Sequence, residues 1–211
     1  MNLIESLQWR YATKKFDNNK TLSKNKLELI KEAFNLTATS YGLQTIKLLV
    51  VEDKAIREQL VEHSYGQHQV VDASHLLVIC IQDDIETEDV DSHFDNVKSV
   101  RSTPEHILKP FRENLKDMVA NMSLEEQQEW SIKQAYIALG NLMTVCAIER
   151  IDSCPMEGFL PTEFDKVLNL KKLGLKSVLL LPVGYRAEDD MFASFKKVRK
   201  SIADTVIDFS V

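Results

Sequence analysis

Glycine is scarce and scattered, with six in 211 residues, at positions 42, 66, 140, 158, 174 and 184. None falls into G-x-G-x-x-G, so the turn that presses a dinucleotide pyrophosphate onto a helix N-terminus is missing. The Walker A loop, the G-x-S-x-G elbow and the H-E-x-x-H helix are missing as well, which sets aside the phosphate, acyl-transfer and zinc chemistry those patterns serve. Cysteine is limited to Cys80, Cys146 and Cys154. They are odd in number and too far apart for a metal knuckle, so reduced thiols in a cytoplasmic protein are expected. No two of the five histidines stand four apart. His75, at the start of an apolar run, reads as a hydrogen-bonded structural residue. Long hydrophobic runs are also lacking. Leu76–Ile81 and Val178–Val183 fall far short of the ~20 residues a membrane helix needs, and the opening MNLIESLQWR has no signal-length apolar stretch.

What is present is the balance of an ordinary globular protein: 44% hydrophobic and 27% charged residues. The length suits a single domain spanning 1–211. A net charge of −6 argues against nucleic acid or an anionic membrane as partner, although a local basic pocket is compatible with it. The acidic stretch from Asp83 to Asp91 lacks the glycine and terminal glutamate of a calcium loop. It reads as a solvated turn and helix start, with no metal expected.

Ser23 is placed to cap a helix through Asn35, and Asp53 to cap another. Ser123 and Glu126 form a capping box before a long helix to about Arg150, whose face of Ala135, Leu139, Leu142, Met143 and Cys146 is apolar over several turns. Thr162 is expected to cap a short helix to Leu168. Leu48–Glu52, Leu76–Ile81 and Leu175–Val183 read as buried strands. This pattern fits a helix-rich α+β fold with a small sheet, and equally a doubly wound α/β sheet.

Two cation pairs stand near the chain ends: Arg10 with Lys14 in WRYATKKF, and Lys197 with Arg199 in FKKVRKS. Either alone reads as solvated surface. Together they could meet at one phosphate, which suits Arg forks and Lys point charges.

Six motifs in order then resemble the nitroreductase family: R-Y-A-T-K-K-F (Arg10–Phe16), T-S-Y-G-L-Q (Thr39–Gln44), D-A-S-H (Asp72–His75), K-Q-A-Y-I-A-L-G-N (Lys133–Asn141), P-M-E-G-F (Pro155–Phe159), and P-V-G-Y (Pro182–Tyr185) followed by K-V-R (Lys197–Arg199). The resemblance covers nearly the whole chain and is nearest to the oxygen-insensitive NAD(P)H nitroreductases and dihydropteridine-reductase-like flavoproteins. It implies an α+β FMN-binding fold, a central mixed sheet surrounded by helices, and a homodimer that exchanges a C-terminal strand. The apolar tail of Val206, Ile207, Phe209 and Val211 fits such a strand.

The resemblance also implies a cytoplasmic NAD(P)H-dependent FMN oxidoreductase. It would pass hydride from NADH or NADPH through flavin N5 to a nitroaromatic, quinone or pterin-like acceptor by a ping-pong mechanism. The alternative is a non-catalytic FMN-binding protein of the same fold. No side chain is implied as acid, base or nucleophile. Arg10, Lys197 and Arg199 match phosphate contacts, and Ala12 keeps only a backbone contact where many relatives have serine. Lys14 matches the cation at the pyrimidine edge. Pro155, Met156, Glu157 and Gly158 match the segment facing N5, which Lys14, Glu157 and Gly158 would tune. Thr39, Ser40, Tyr41 and Gly42 match the loop reaching FMN from the other subunit. Gly66 stands where relatives have asparagine, so Gln67 or Gln69 is left to supply that polar contact. Thr45 replaces a proline. The stretch 94–123, with the least resemblance, is expected to form the substrate lid.

Overall fold

The computed structural model describes residues 2–210. In chain order they form α1 (Leu3–Trp9), α2 (Lys24–Asn35), β1 (Ile46–Val51), α3 (Lys54–Leu60), α4 (Gln69–Asp72), β2 (His75–Gln82), α5 (Thr87–Arg101), α6 (Glu105–Asn121), α7 (Leu124–Ile148), β3 (Asp152–Ser153), α8 (Pro161–Val167), β4 (Leu175–Gly184) and α9 (Ile202–Thr205). No helix among them is long and apolar enough to cross a membrane.

The sheet order is β1-β2-β4-β3, and every neighbouring pair is antiparallel. A doubly wound parallel sheet is thereby excluded. One isolated parallel bridge, Ala12 with Ser153, adds the N-terminal segment beyond β3, so pairings of both senses occur. β2 is apolar on both faces because both are covered. With the period of two of a strand, Leu77, Ile79 and Ile81 face a layer containing α7 and α2, while Leu76, Val78 and Cys80 face one containing α8 and Met156. Gly184 lets this sheet close against the start of β2, since a Cβ there would lie 2.9 Å from the Ser74 nitrogen.

α7 is the core helix. Its capping box is formed: Glu126 N–H donates to Ser123 Oγ at 3.3 Å, and Ser123 N–H donates to Glu126 Oε2 at 2.7 Å. Ser23 and Asp53 cap α2 and α3 as expected. At α8 the expectation shifts: Leu160 is the N-cap and Pro161 the first helical residue. Proline's fixed φ and missing N–H suit that position, leaving Thr162 inside the first turn. β1 starts at Ile46 and ends before Glu52. The tail residues Val206, Ile207 and Phe209 are exposed and in no strand; Val211 lies outside the described residues.

α5 and α6 form a hairpin with a core of its own, built from Leu43, Ile85, Val90, Phe94, Leu108, Leu115 and Val119. Gln127 of α7 pins its base, accepting from Ile85 N–H at 2.9 Å and donating to Val119 O at 3.2 Å.

His75 is buried, with Nδ1 2.8 Å from Ser74 Oγ and Nε2 3.7 Å from Glu52. Burial lowers its pKa, and the exposed Glu52 offsets this only in part. The folded state therefore takes up the proton later than the unfolded one. Stability is whole above the ordinary histidine pKa of ~6.5 and falls as the pH drops below it. The urea midpoint should decline between pH 7 and pH 5.5, and His75→Gln should flatten that decline. An equal decline in both proteins would exclude His75 as the cause.

Candidate functional site

The Ala12 bridge to Ser153 and the Phe16 bridge to Arg186 hold the segment from Arg10 to Phe16 along the β3 edge. From there Arg10, Ala12 and Lys14 line a cavity of about 390 Å³ whose opposite wall is Phe195, Lys197 and Arg199. The two cation pairs from opposite chain ends thus meet. Lys197 Nζ donates to the Arg10 carbonyl. Burial lowers the pKa of Arg10, and Arg199 lowers it further. Burial, then Arg10 and Arg199, does the same to Lys197. Arg10 Nε is buried with no hydrogen-bond partner among the described residues. These groups are crowded cations with donors to spare, the condition of a site built for an anion.

Asp190 holds the two ends together. Its Oδ2 accepts from Tyr11 O–H at 2.8 Å, Lys14 N–H at 2.9 Å and Lys15 N–H at 3.1 Å, and its Oδ1 accepts from Phe192 N–H at 3.1 Å. Burial alone would raise its pKa, but the bonds from Tyr11 and the three backbone donors outweigh burial and hold it below the usual carboxylate range. Beside it, Arg186 stacks on Trp9 and Tyr11, 4.4 and 4.6 Å from the ring centroids. Its Nε donates to buried Asp152 at 2.7 Å.

The segment 152–156 continues from β3 along β4, where Met156 pairs with Leu180. Cys154 and Pro155 follow the parallel bridge, and Lys14 lies close enough to Cys154 to oppose the rise that burial imposes on the thiol. Gln67 Nε2 donates to Gly158 O at 2.8 Å, joining two candidates far apart in sequence. Gly66, with φ +71, makes the left-handed turn before it. Gln69 sits buried at the start of α4. Glu157 accepts from Tyr136 O–H of α7 at 2.6 Å. The N–H groups of Glu157 and Gly158 donate to no backbone oxygen among the described residues.

Thr39–Gly42 is elsewhere. Ser40 N–H donates to Gln134 Oε1 at 3.0 Å, and Tyr41 packs edge-on against Trp130. Gly42 has φ +79, and a Cβ would sit 2.9 Å from His93. Thr45, in place of the family's proline, spends its hydroxyl on a buried bond from Ser131 Oγ at 2.9 Å. Gln134 and Tyr136 are two residues apart on α7, hence roughly 200° around it. The Thr39–Gly42 loop and Glu157 therefore occupy opposite faces of α7, and a single chain does not bring them together.

Residues 7–185 match the model of the nitroreductase family. The chain belongs to the nitroreductase family. Among relatives in this family, YfkO of Bacillus subtilis is 31% identical over 97% of this chain and 96% of its own, and a Staphylococcus aureus N315 protein is 34% identical over 89% and 87%; both are provisionally named NAD(P)H nitroreductases. Among solved structures, YdfN of Bacillus subtilis superposes with a TM-score of 0.87 at 18% identity, covering 98% of each chain. A nitroreductase-type protein from Exiguobacterium sibiricum, described in complex with FMN, superposes at 0.83 and 19% identity, covering all of this chain and 98% of that one.

Within this nitroreductase, Asp190, Tyr136 and Gln134 organise the site; Gln134 and Tyr136 fall inside the Lys133–Asn141 motif with no role implied for them, and Asp190 lies outside every motif. Asp190 is one of three consecutive acidic residues, and nothing in that run distinguishes the buried one. Asp190→Asn exchanges two acceptor oxygens for one and adds an N–H₂ facing other donors. It should cost about 2 kcal/mol in urea unfolding at neutral pH, while Asp189→Asn, at an exposed position, should leave the midpoint nearly unchanged. Equal effects would mean that Asp190 does not carry the clamp.

Proposed function

We propose that this nitroreductase is an FMN-dependent NAD(P)H oxidoreductase that works as a cytoplasmic homodimer and passes hydride to a small nitroaromatic, quinone or pterin-like acceptor. The gathering of Arg10, Lys14, Lys197 and Arg199 around one cavity carries this reading. The fit to a flavin mononucleotide rests on three features. The buried Arg10 Nε lacks a partner and suits a phosphate oxygen. Lys197 and Arg199 add charge beside it. The free N–H groups of Glu157 and Gly158 suit polar atoms of a ring. FMN, when bound, supplies the atom that accepts and returns hydride.

The protein's share is binding, orientation and electrostatics. Arg10, Lys197 and Arg199 hold the phosphate, with Ala12 offering backbone only. Lys14, whose backbone N–H is held by Asp190, would offer its positive charge to the flavin ring. Gln67 and Gln69 stand in for the missing asparagine, and Gln67 also braces Gly158. The Glu157 carboxylate is occupied by Tyr136, so Glu157 acts through its backbone, in line with Pro155, Met156 and Gly158. Thr39, Ser40, Tyr41 and Gly42 serve the site of a second copy, since they lie across α7 from Glu157. Exposed apolar residues fit such a copy: Leu3, Ile4 and Leu7 on α1, Tyr136 and Ile137 on α7, and Val206, Ile207 and Phe209 of the tail, which we assign to an exchanged strand. The α5–α6 hairpin is the proposed lid.

The purified protein should take up FMN at about one per chain and turn yellow. Arg199→Ala should weaken FMN about tenfold or more while binding riboflavin, which lacks the phosphate, as the wild type does. An equal loss for both flavins would remove Arg199 from the phosphate. With NAD(P)H and menadione varied on a grid, double-reciprocal lines should be parallel. Flavin uptake without NAD(P)H oxidation would favour a flavin-binding role over an enzyme.

A chain ending at Thr205 should lose dimer and FMN together. A truncated chain sedimenting as a flavin-loaded monomer would refute the shared site.

A further inference from the structure

Inside the α5–α6 hairpin lies a second cavity of about 400 Å³, within the size range of small-ligand sites. Its walls are the inner faces of α5 and α6, closed on one side by Tyr41. Phe94, Leu108, Leu115 and Met118 make the walls apolar, and Phe111 stands at the mouth, 66% exposed. A concave, mostly apolar lining with a few polar groups at its edge is the make-up of a small-ligand site.

The charges around it are lopsided. The hairpin's other arginine near this core, Arg112, is spent on Asp91, Asp95 and Glu105, and Lys98 pairs with Glu105. Arg101 lines the cavity and makes no ion pair or hydrogen bond among the described residues. No Asp or Glu is among the lining residues. His93 is the other titratable base there. Burial lowers its pKa, and Arg101 lowers it further, so the imidazole is neutral and the guanidinium holds the charge. A planar fork beside apolar walls matches a carboxylate carried on an apolar body. A sugar phosphate would satisfy the fork and waste the walls.

We propose that this cavity is the acceptor pocket and that it takes an amphipathic organic acid, with its ring or chain against Phe94 and Phe111 and its carboxylate on Arg101. This rests on the oxidoreductase reading above. Tyr41 links the two, because it belongs both to the loop assigned to the flavin of a second copy and to the wall of the cavity. Arg101 acts in selection and takes no part in moving hydride.

Two measurements on the FMN-loaded full-length protein test it. The first is calorimetry with 4-phenylbutyrate and its neutral amide, neither of which is reducible here. The acid should bind the wild type more tightly than the amide. Arg101→Met should lower the acid-to-amide affinity ratio about tenfold, and Arg101→Lys should restore part of it. Equal binding of acid and amide by the wild type, or an unchanged ratio in Arg101→Met, overturns the proposal.

The second is turnover of 4-nitrobenzoate against 4-nitrobenzamide. Each cycle takes a hydride from NAD(P)H and a solvent proton, converts the nitro group to nitroso and releases water. The kcat/KM ratio of acid to amide should fall by the same factor in Arg101→Met, through KM. If the wild type oxidises NAD(P)H with neither compound nor with menadione, the oxidoreductase reading fails, and the calorimetry still decides the pocket.

Discussion

The site depends on one carboxylate. Arg10, Lys197 and Arg199 repel one another, and two of them lose charge affinity through burial. Within the cluster only the bond from Lys197 Nζ to the Arg10 carbonyl favours its assembly among the described residues. Asp190 supplies what the cations cannot, four donors converging on two oxygens from residues 11, 14, 15 and 192. Charge-assisted hydrogen bonds of this kind contribute about 1.5–3 kcal/mol each when well made, enough to hold both strands of chain against the repulsion. Because Asp190 binds the backbone of Lys14 and Lys15, it fixes their position while leaving the Lys14 ammonium free for the cavity. An anion that enters relieves the remaining repulsion, so ligand binding and folding of this corner reinforce each other.

α7 is the second constraint. It packs one face on the sheet, and from its flanks it fixes both halves of the proposed flavin site: Ser40 through Gln134, and Glu157 through Tyr136. The helix is a rigid ruler, so the half-turn between those side chains separates the two halves for good within one chain. A fold with this geometry either leaves its site half-built or completes it across a two-fold axis, where each copy presents both halves. The exposed apolar residues of α1, α7 and the tail are the surface such an axis would bury.

How much of this was legible depended on the range of the interaction. The α7 capping box, the Ser23 and Asp53 caps and the buried strands are local, and the sequence places them to within a few residues. Arg10 with Lys14 and Lys197 with Arg199 were legible as phosphate-type cations, but their meeting is set by Asp190 and by the Ala12–Ser153 bridge, neither of which leaves a local signal. Pro161 displaced Thr162 from the α8 cap because two good start signals stood side by side and only one could be first. α1 and α6 were not read as elements, and of α5 only the helix start within Asp83–Asp91 was. α5 buries only Val90 and Phe94, too few to stand out as periodicity among its charged and polar residues.

That sparse burial has a mechanical consequence for the hairpin. Its core is separate from the two that clamp the sheet. Gln127 ties its base to α7, but its tip turns at Ser102 and Pro104 with surface ion pairs for support, which contribute little in water. Pro110 in α6 has no N–H, so the carbonyl four residues back, on His106, loses its helical partner near that same tip. A unit fixed at one end, weakly held at the other and lined with apolar surface opens by small local displacements more cheaply than the sheet core does. A lid of this kind would need no glycine linker. It needs only a strong base and a weak tip, and this hairpin distributes its glutamine, proline and salt bridges accordingly.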